Sequence, residues 1–206
     1  MIRIWGRQSS VNVQKVLWTC DELGVPFERI DAGGLFSDLQ TASFRALNPN
    51  ARVPVLEDSG FVLWESNAIV RYVAATFGAG QLCPLDPRAR ADAERWMDWQ
   101  LTDILPSMRT LFFQLVRARD DEKDPAATER ALAAAATSWR LLDEHLRGRR
   151  FVTGDDLSIA DIPLGTFVYR WMALPVERPP LPSLMAWFER LCGSPHYARN
   201  VMRPLE

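Results

Sequence analysis

The chain opens with Ile2-Arg3-Ile4-Trp5, which reads as a short strand, and the period then changes. Val13, Val16, Leu17 and Cys20 recur at i, i+3, i+4 and i+7, the apolar stripe of an amphipathic helix. Gly24 ends that helix and Pro26 blocks its continuation. Phe27 to Asp31 returns to a strand pattern, and a strand-helix-strand passage this short implies parallel strands joined by a right-handed crossover. Beyond Gly33-Gly34 and an irregular helical stretch, Val53-Leu56 and Phe61-Trp64 flank Glu57-Asp58-Ser59-Gly60, which signals a hairpin. Ser66 is placed to cap a helix with Ile69, Tyr72, Val73 and Phe77 on one face, closed by Gly78 and Gly80. The order so far is βαβ, helix, ββα.

From there on the strand period disappears. Gly78 to Pro87 holds two glycines and two prolines and interrupts both periodicities, as a linker does. It is no dinucleotide fingerprint, because Cys83 stands where a third glycine is needed and the segment closes a helix instead of opening one. Amphipathic helices are expected at about Ala89–Ala118, Ala126–Arg147, Ser158–Met172 and Leu181–Cys192. Ser158-Ile159-Ala160-Asp161 is a capping-box variant, with Leu157 and Ile162 spaced as a hydrophobic staple. The pattern predicts two domains, 1–78 (α/β) and 88–206 (all-helical), joined by a linker at 79–87.

Composition narrows the partners. With 24 basic and 26 acidic residues the net charge is −2, and no basic stripe exists for a nucleic acid to follow. The first residues lack the charged and apolar regions of a secretory signal, and no apolar run spans a bilayer, so a soluble cytoplasmic protein is expected. Cys20, Cys83 and Cys192 are odd in number and widely spaced, which fits reduced structural thiols. His145 and His196 lie far apart with no metal-ligand spacing, so no metal is expected. A Gly-x-Ser-x-Gly elbow is absent.

Three places carry chemistry. Ser9 and Ser10 stand where a strand passes through a polar turn into a helix; either is an ordinary N-cap, or a hydroxyl that joins the free N–H groups and helix dipole in holding an anion. Val53-Pro54 puts a proline at the start of a sheet strand, as an edge proline or as a cis bond that frees the Val53 backbone for a peptide-like ligand. Glu65 and Ser66 set a carboxylate beside a helix N-terminus: a cap, or a pair suited to the ammonium and carboxylate of an amino acid head group.

These elements, in this order and followed by a helical half, resemble the soluble glutathione transferases over essentially the whole chain. Ser10-Val11-Asn12-Val13-Gln14-Lys15-Val16 is similar to the serine-type segment of theta, zeta, phi and many bacterial members. Arg52-Val53-Pro54 resembles the cis-proline motif, Glu65-Ser66-Asn67-Ala68-Ile69 the γ-glutamyl-binding motif, and Gly154 to Asp161 the helical-domain capping segment. Tyr72, Tyr169 and Tyr197 lie away from the first strand, so the tyrosine-type classes do not fit.

The resemblance implies a thioredoxin-like α/β domain plus an all-α bundle. It implies glutathione as co-substrate, with Ser10 on the sulfur and Asn12 aiding it. Ser9 is the alternate, since a one-residue shift of the cap exchanges the two serines. Val53 and Pro54 would serve the cysteinyl backbone, Glu65 and Ser66 the γ-glutamyl end, and Arg52 the glycyl carboxylate. The second substrate, a small and mainly hydrophobic electrophile, would bind between the domains against Phe36, Trp96, Gln100 and Phe112. A homodimer is implied as well. Isomerisation, dehalogenation or peroxide reduction at the same site, and a non-catalytic binding or assembly module, are the alternatives.

Overall fold

A computed structural model describes residues 1–206. The first domain runs β1 (Ile2–Trp5), α1 (Val11–Glu22), β2 (Phe27–Ile30), α2 (Ala42–Leu47), β3 (Val55–Asp58), β4 (Phe61–Trp64) and α3 (Ser66–Phe77). Its sheet order is β2-β1-β3-β4. β1 pairs parallel to β2 with Ile4 opposite Arg29, and antiparallel to β3 with Ile4 opposite Leu56. β3 and β4 form the expected hairpin. Alternation along β1 sends Ile2 and Ile4 into a core with Val13, Val16, Leu17 and Cys20 of α1 and Ile69 and Val73 of α3. Burial pushes the Cys20 thiol up to about 12, and all three cysteines are free.

The second domain comprises α4 (Pro87–Trp99), α5 (Leu105–Phe112), α6 (Pro125–Leu146), α7 (Asp161–Ala173), α8 (Pro182–Cys192) and α9 (Pro195–Asn200). Pro87 is the first residue of α4, and Asp86 caps it by accepting from Arg88 N at 3.1 Å and Ala89 N at 2.9 Å. The stretch expected as one helix from Ala89 to Ala118 is continuously helical from Pro87 to Arg117, widened by π-helical turns at Gln100–Ile104 and Phe113–Arg117. Pro106, just beyond the first of these turns, has no N–H to give the regular ladder, and the backbone widens beside it. The capping segment forms: Ser158 N donates to Asp161 Oδ2 at 2.9 Å, and Ala160 N to Ser158 Oγ at 3.3 Å.

The two domains share a core. Trp18, Val70 and Ala74 of the first domain pack into the cluster built by α4 to α9. Trp18 lies edge-on to Tyr197 with centroids 4.9 Å apart, and Tyr197 Oη donates to Gly165 O at 2.7 Å. The face of α1 opposite its own sheet is thereby fixed against α7 and α9, and the start of α1 opens between the domains. No helix is long and apolar enough to cross a membrane.

Candidate functional site

The β1–α1 turn is held by Gly6 N to Ile30 O at 2.8 Å and Arg7 N to Ala32 O at 3.0 Å. Gly6 has φ of +153°, and a Cβ there would meet Val13 Cγ2 at 2.4 Å and Val53 Cβ at 3.2 Å. Only glycine lets the turn lie this close to the strand that begins at Val53. Ser10 is the N-cap of α1, extended at φ −72° and ψ 120°, yet its hydroxyl makes no capping hydrogen bond. No acidic residue occupies the first turn. A half-buried hydroxyl and the leading N–H groups of α1 are therefore left for an anion.

The start of α3 faces the start of α1. Ser66 is the first helical residue and not the cap; Glu65 takes the cap position with φ of +71°, a left-handed conformation costly for a residue with a Cβ. Ser66 Oγ donates to Asn12 Oδ1 at 3.3 Å. That contact spends the oxygen of the Asn12 amide and leaves its Nδ2 as a donor. The Val53–Pro54 bond is cis, and the Val53 N–H and C=O make no backbone hydrogen bond. Arg52 is exposed, with its carbonyl held by Asn48 Nδ2 at 2.8 Å.

Behind this surface lies a fully buried lysine. Lys15 Nζ donates to Asn67 Oδ1 at 3.0 Å, Gln100 Oε1 at 3.0 Å and Ser66 Oγ at 3.4 Å, and stands 5.4 Å from the Phe167 ring centroid. Burial pulls its pKa down to about 7; Glu65 opposes the shift and Arg170 adds to it. Asn67 Nδ2 in turn donates to Met97 O at 2.8 Å.

The four residues expected around a second substrate separate. Phe112 is buried between two guanidiniums, with Arg170 4.2 Å and Arg117 4.8 Å from its ring centroid, and Arg170 Nη2 donates to Ser9 O at 3.1 Å. Phe112 thus adjoins the Ser9–Ser10 turn. Gln100 lies behind the site, on Lys15. Trp96 lies tilted against His145 at 4.3 Å and edge-on to Trp99 at 5.2 Å, lining a cleft toward α6. Phe36 is exposed on the loop after β2. Lys15, Asn67, Arg7, Arg117 and Arg170 escaped the sequence reading. A signal existed for two of them: Lys15 sits within the run Val13 to Leu17, and Arg170 is the one cation of α7. His145 Nε2 meets Val152 O at 2.7 Å, and no cluster of potential metal ligands occurs.

A βαβ-α-ββα domain of thioredoxin type, with an anion-receptive helix start beside a cis-proline strand and an all-helical partner domain, defines the class. The family model for the glutathione S-transferase N-terminal domain matches residues 9–76, and that for the C-terminal domain matches residues 125–190. Glutathione S-transferase GstB of Escherichia coli K12 is 39% identical over the whole of both chains. Glutathione S-transferase 3 of Zea mays is 28% identical over 97% of this chain and 93% of its own. The theta-class glutathione S-transferase of Xanthomonas axonopodis pv. citri, solved with glutathione bound, superposes with a TM-score of 0.95 at 44% identity, covering 100% of this chain and 99% of that one. The chain belongs to the glutathione S-transferase family.

Proposed function

We propose that this protein binds glutathione along the Ser10, Val53 and Ser66 edge, ionises its thiol, and delivers the thiolate sulfur to an electrophilic carbon. The observation that carries this reading is the unspent Ser10 hydroxyl at the cap of an acid-free first turn, beside Asn12 whose amide is oriented by Ser66. Ser10 Oγ and Asn12 Nδ2 donate to the sulfur, the Val53 backbone pairs with the cysteinyl unit, Glu65 and the start of α3 take the γ-glutamyl head group, and Arg52 takes the glycyl carboxylate. Lowering a thiol pKa by two units requires about 2.7 kcal/mol. One charge-assisted hydrogen bond of about 1.5–3 kcal/mol and a helix-dipole contribution of about 0.3–1 kcal/mol are sufficient, without a general base. The rest of the rate comes from holding two reactants together.

A purely sequestering or assembly role has no use for a hydroxyl kept free at a helix cap, and conjugation is the better reading. We further propose a cytoplasmic homodimer, supported by the exposed Phe61 and Trp64 on the edge strand β4 and the exposed Leu101 of the helical domain. Sedimentation equilibrium at micromolar concentration would show a dimer.

The decisive experiment is binding to immobilised glutathione followed by conjugation of 1-chloro-2,4-dinitrobenzene. Ser10→Ala is expected to cut kcat by at least about tenfold with a smaller change in glutathione affinity. Full activity in Ser10→Ala together with loss in Ser9→Ala would move the sulfur contact to Ser9; failure to retain glutathione at all would end the reading.

A further inference from the structure

Three guanidiniums converge on the Ser9–Ser10 turn from three separate elements. Arg7 comes from the β1–α1 turn and lies over Gly33-Gly34, where a Cβ on Gly34 would come within 3.1 Å of its Cδ. Arg117 comes from the π-helical turn after α5, and Arg170 from the middle of α7. Arg117 and Arg170 stack over the same Phe112 ring, at 4.8 and 4.2 Å. Arg170 is only 9% exposed and is fastened to the Ser9 carbonyl at 3.1 Å.

None of the three forms a salt bridge. Arg170 is bonded to the Ser9 carbonyl and packs on a ring, whereas Arg117 donates to the main-chain oxygen of Glu206 at 2.9 Å and lies near the Glu206 charge. Burial first, then Arg117 and Arg7, pulls the Arg170 pKa down to about 10, so the cluster repels itself. Arg117 is lowered by burial and by Arg7, with Glu206 opposing.

Glu206 offsets part of the Arg117 charge, but the buried Arg170 and the neighbouring Arg7 have no carboxylate in salt-bridge contact, and such cations are costly unless a ligand supplies the anion. Glutathione does not balance the cluster. In the proposed binding mode its glycyl carboxylate goes to Arg52 and its α-carboxylate to the start of α3, which leaves one thiolate, with Glu206 beside Arg117, against three guanidiniums. An arginine fork matches a carboxylate in two parallel hydrogen bonds, and the buried Phe112 ring holds two such forks side by side.

We propose that the second substrate is an electrophile bearing a carboxylate, held by Arg7, Arg117 and Arg170 with its reactive carbon toward the sulfur at Ser10. This rests on the glutathione reading and narrows it from a small, mainly hydrophobic electrophile to an anionic one. For a chloroarene the step balances without a redox partner. The thiol proton leaves to solvent, the thiolate pair forms the C–S bond, and chloride departs with the pair of the C–Cl bond.

The test compares 4-chloro-3-nitrobenzoate with its neutral analogue 4-chloro-3-nitrobenzamide, each kcat/KM divided by the uncatalysed rate with glutathione. The corrected ratio of benzoate to benzamide is expected to exceed about tenfold and to fall as salt is raised. Arg117→Gln and Arg7→Gln, both outside the buried core, are each expected to lower the ratio by about tenfold, and Arg117→Lys to lower it less than Arg117→Gln. A corrected ratio near one in the unaltered protein, with the benzamide turned over, overturns this proposal and leaves the glutathione reading standing. Equal slowing of both substrates by Arg117→Gln overturns it too, since the cations would then serve the thiolate alone. No turnover of either substrate and no retention on immobilised glutathione overturns both.

Discussion

The Lys15 ammonium on α1 donates to Gln100 Oε1 at 3.0 Å, joining α1 to the π-helical turn of the other domain. Its other acceptors, Asn67 and Ser66, belong to α3, so one fully buried cation ties three elements together. The Gln100 amide nitrogen has no partner, so this residue is positioned for its oxygen.

That burial has a pH signature. An unfolded lysine titrates near 10.4, whereas Lys15 in the fold is pulled down to about 7 by desolvation. Below pH 7 both states are protonated and the fold bears the full cost of a buried charge. Between the two values the unfolded chain holds a proton that the folded one has released, so stability rises with pH. The usable window closes above about pH 9, where the unfolded Cys20 ionises while the folded thiol, pushed to about 12, stays neutral and cancels the rise contributed by Lys15. Urea unfolding at about pH 7 and about pH 8.5 is expected to show the natural protein gaining about 1–2 kcal/mol relative to Lys15→Met. Equal changes in both proteins would mean that Lys15 stays charged in the fold.

Asp161 makes a second buried charge count. Oδ1 accepts from Val152 N at 3.0 Å and Trp187 Nε1 at 2.9 Å, while Oδ2 accepts from Ser158 N at 2.9 Å and Ser158 Oγ at 3.1 Å. Burial raises its pKa to about 6, against the pull of those four donors. Asp161→Asn keeps the shape but turns an NH2 toward two donors, and is expected to cost about 2–4 kcal/mol in chemical denaturation. Ser158→Ala removes one hydroxyl donor and is expected to cost about 0.5–1.5 kcal/mol. Comparable losses from the two would show that the carboxylate is not the organising group.

Close packing carries the rest of the interdomain joint. A Cβ on Gly165 of α7 would lie 2.8 Å from Trp18 Cζ3 and 3.1 Å from Leu191 Cδ1. Gly165→Ala therefore forces the buried indole to move, at an expected cost of about 1–3 kcal/mol. Adding Trp18→Phe should make the pair less damaging than the sum of the two changes, a coupling that a double-mutant cycle reads directly. Simple additivity would place the strain elsewhere.

The strand and helix alternation to Phe77, the hairpin, the capping segment at Ser158 and the change to all-helical structure near residue 87 were legible because each rests on a local period or a local cap. The π-helical widening at Gln100–Ile104 was not, since one proline in a long amphipathic run does not reveal how the ladder will widen. Phe112 could be singled out as a large apolar residue on a helix, but its place between Arg117 and Arg170 depends on α5 and α7 meeting. The same holds for Lys15, whose acceptors lie 51, 52 and 85 residues away. Pattern reports which face of a helix is apolar; it does not report which polar group from a distant element will be buried against it.

The Asn12 amide offers a test in which the scaffold contact survives and only the charge changes. Its Oδ1 accepts from Ser66 Oγ at 3.3 Å, and a carboxylate oxygen can accept the same bond. Asn12→Asp therefore keeps the link between α1 and α3, but replaces the Nδ2 donor by an anionic oxygen at the start of α1. If that donor faces the glutathione sulfur, the substitution removes one hydrogen bond to the thiolate and adds a like charge beside it. Each pKa unit corresponds to 1.36 kcal/mol, and a charge-assisted hydrogen bond contributes about 1.5–3 kcal/mol, so the bound thiol pKa is expected to rise by about one to two units. The rate of conjugation against pH should shift to higher pH by the same amount, with the plateau at high pH much less affected. Asn12→Ala removes the donor without adding charge and is expected to shift the profile less. A profile that stays in place in Asn12→Asp would remove Asn12 from the sulfur and leave Ser10 and the helix N–H groups to hold it.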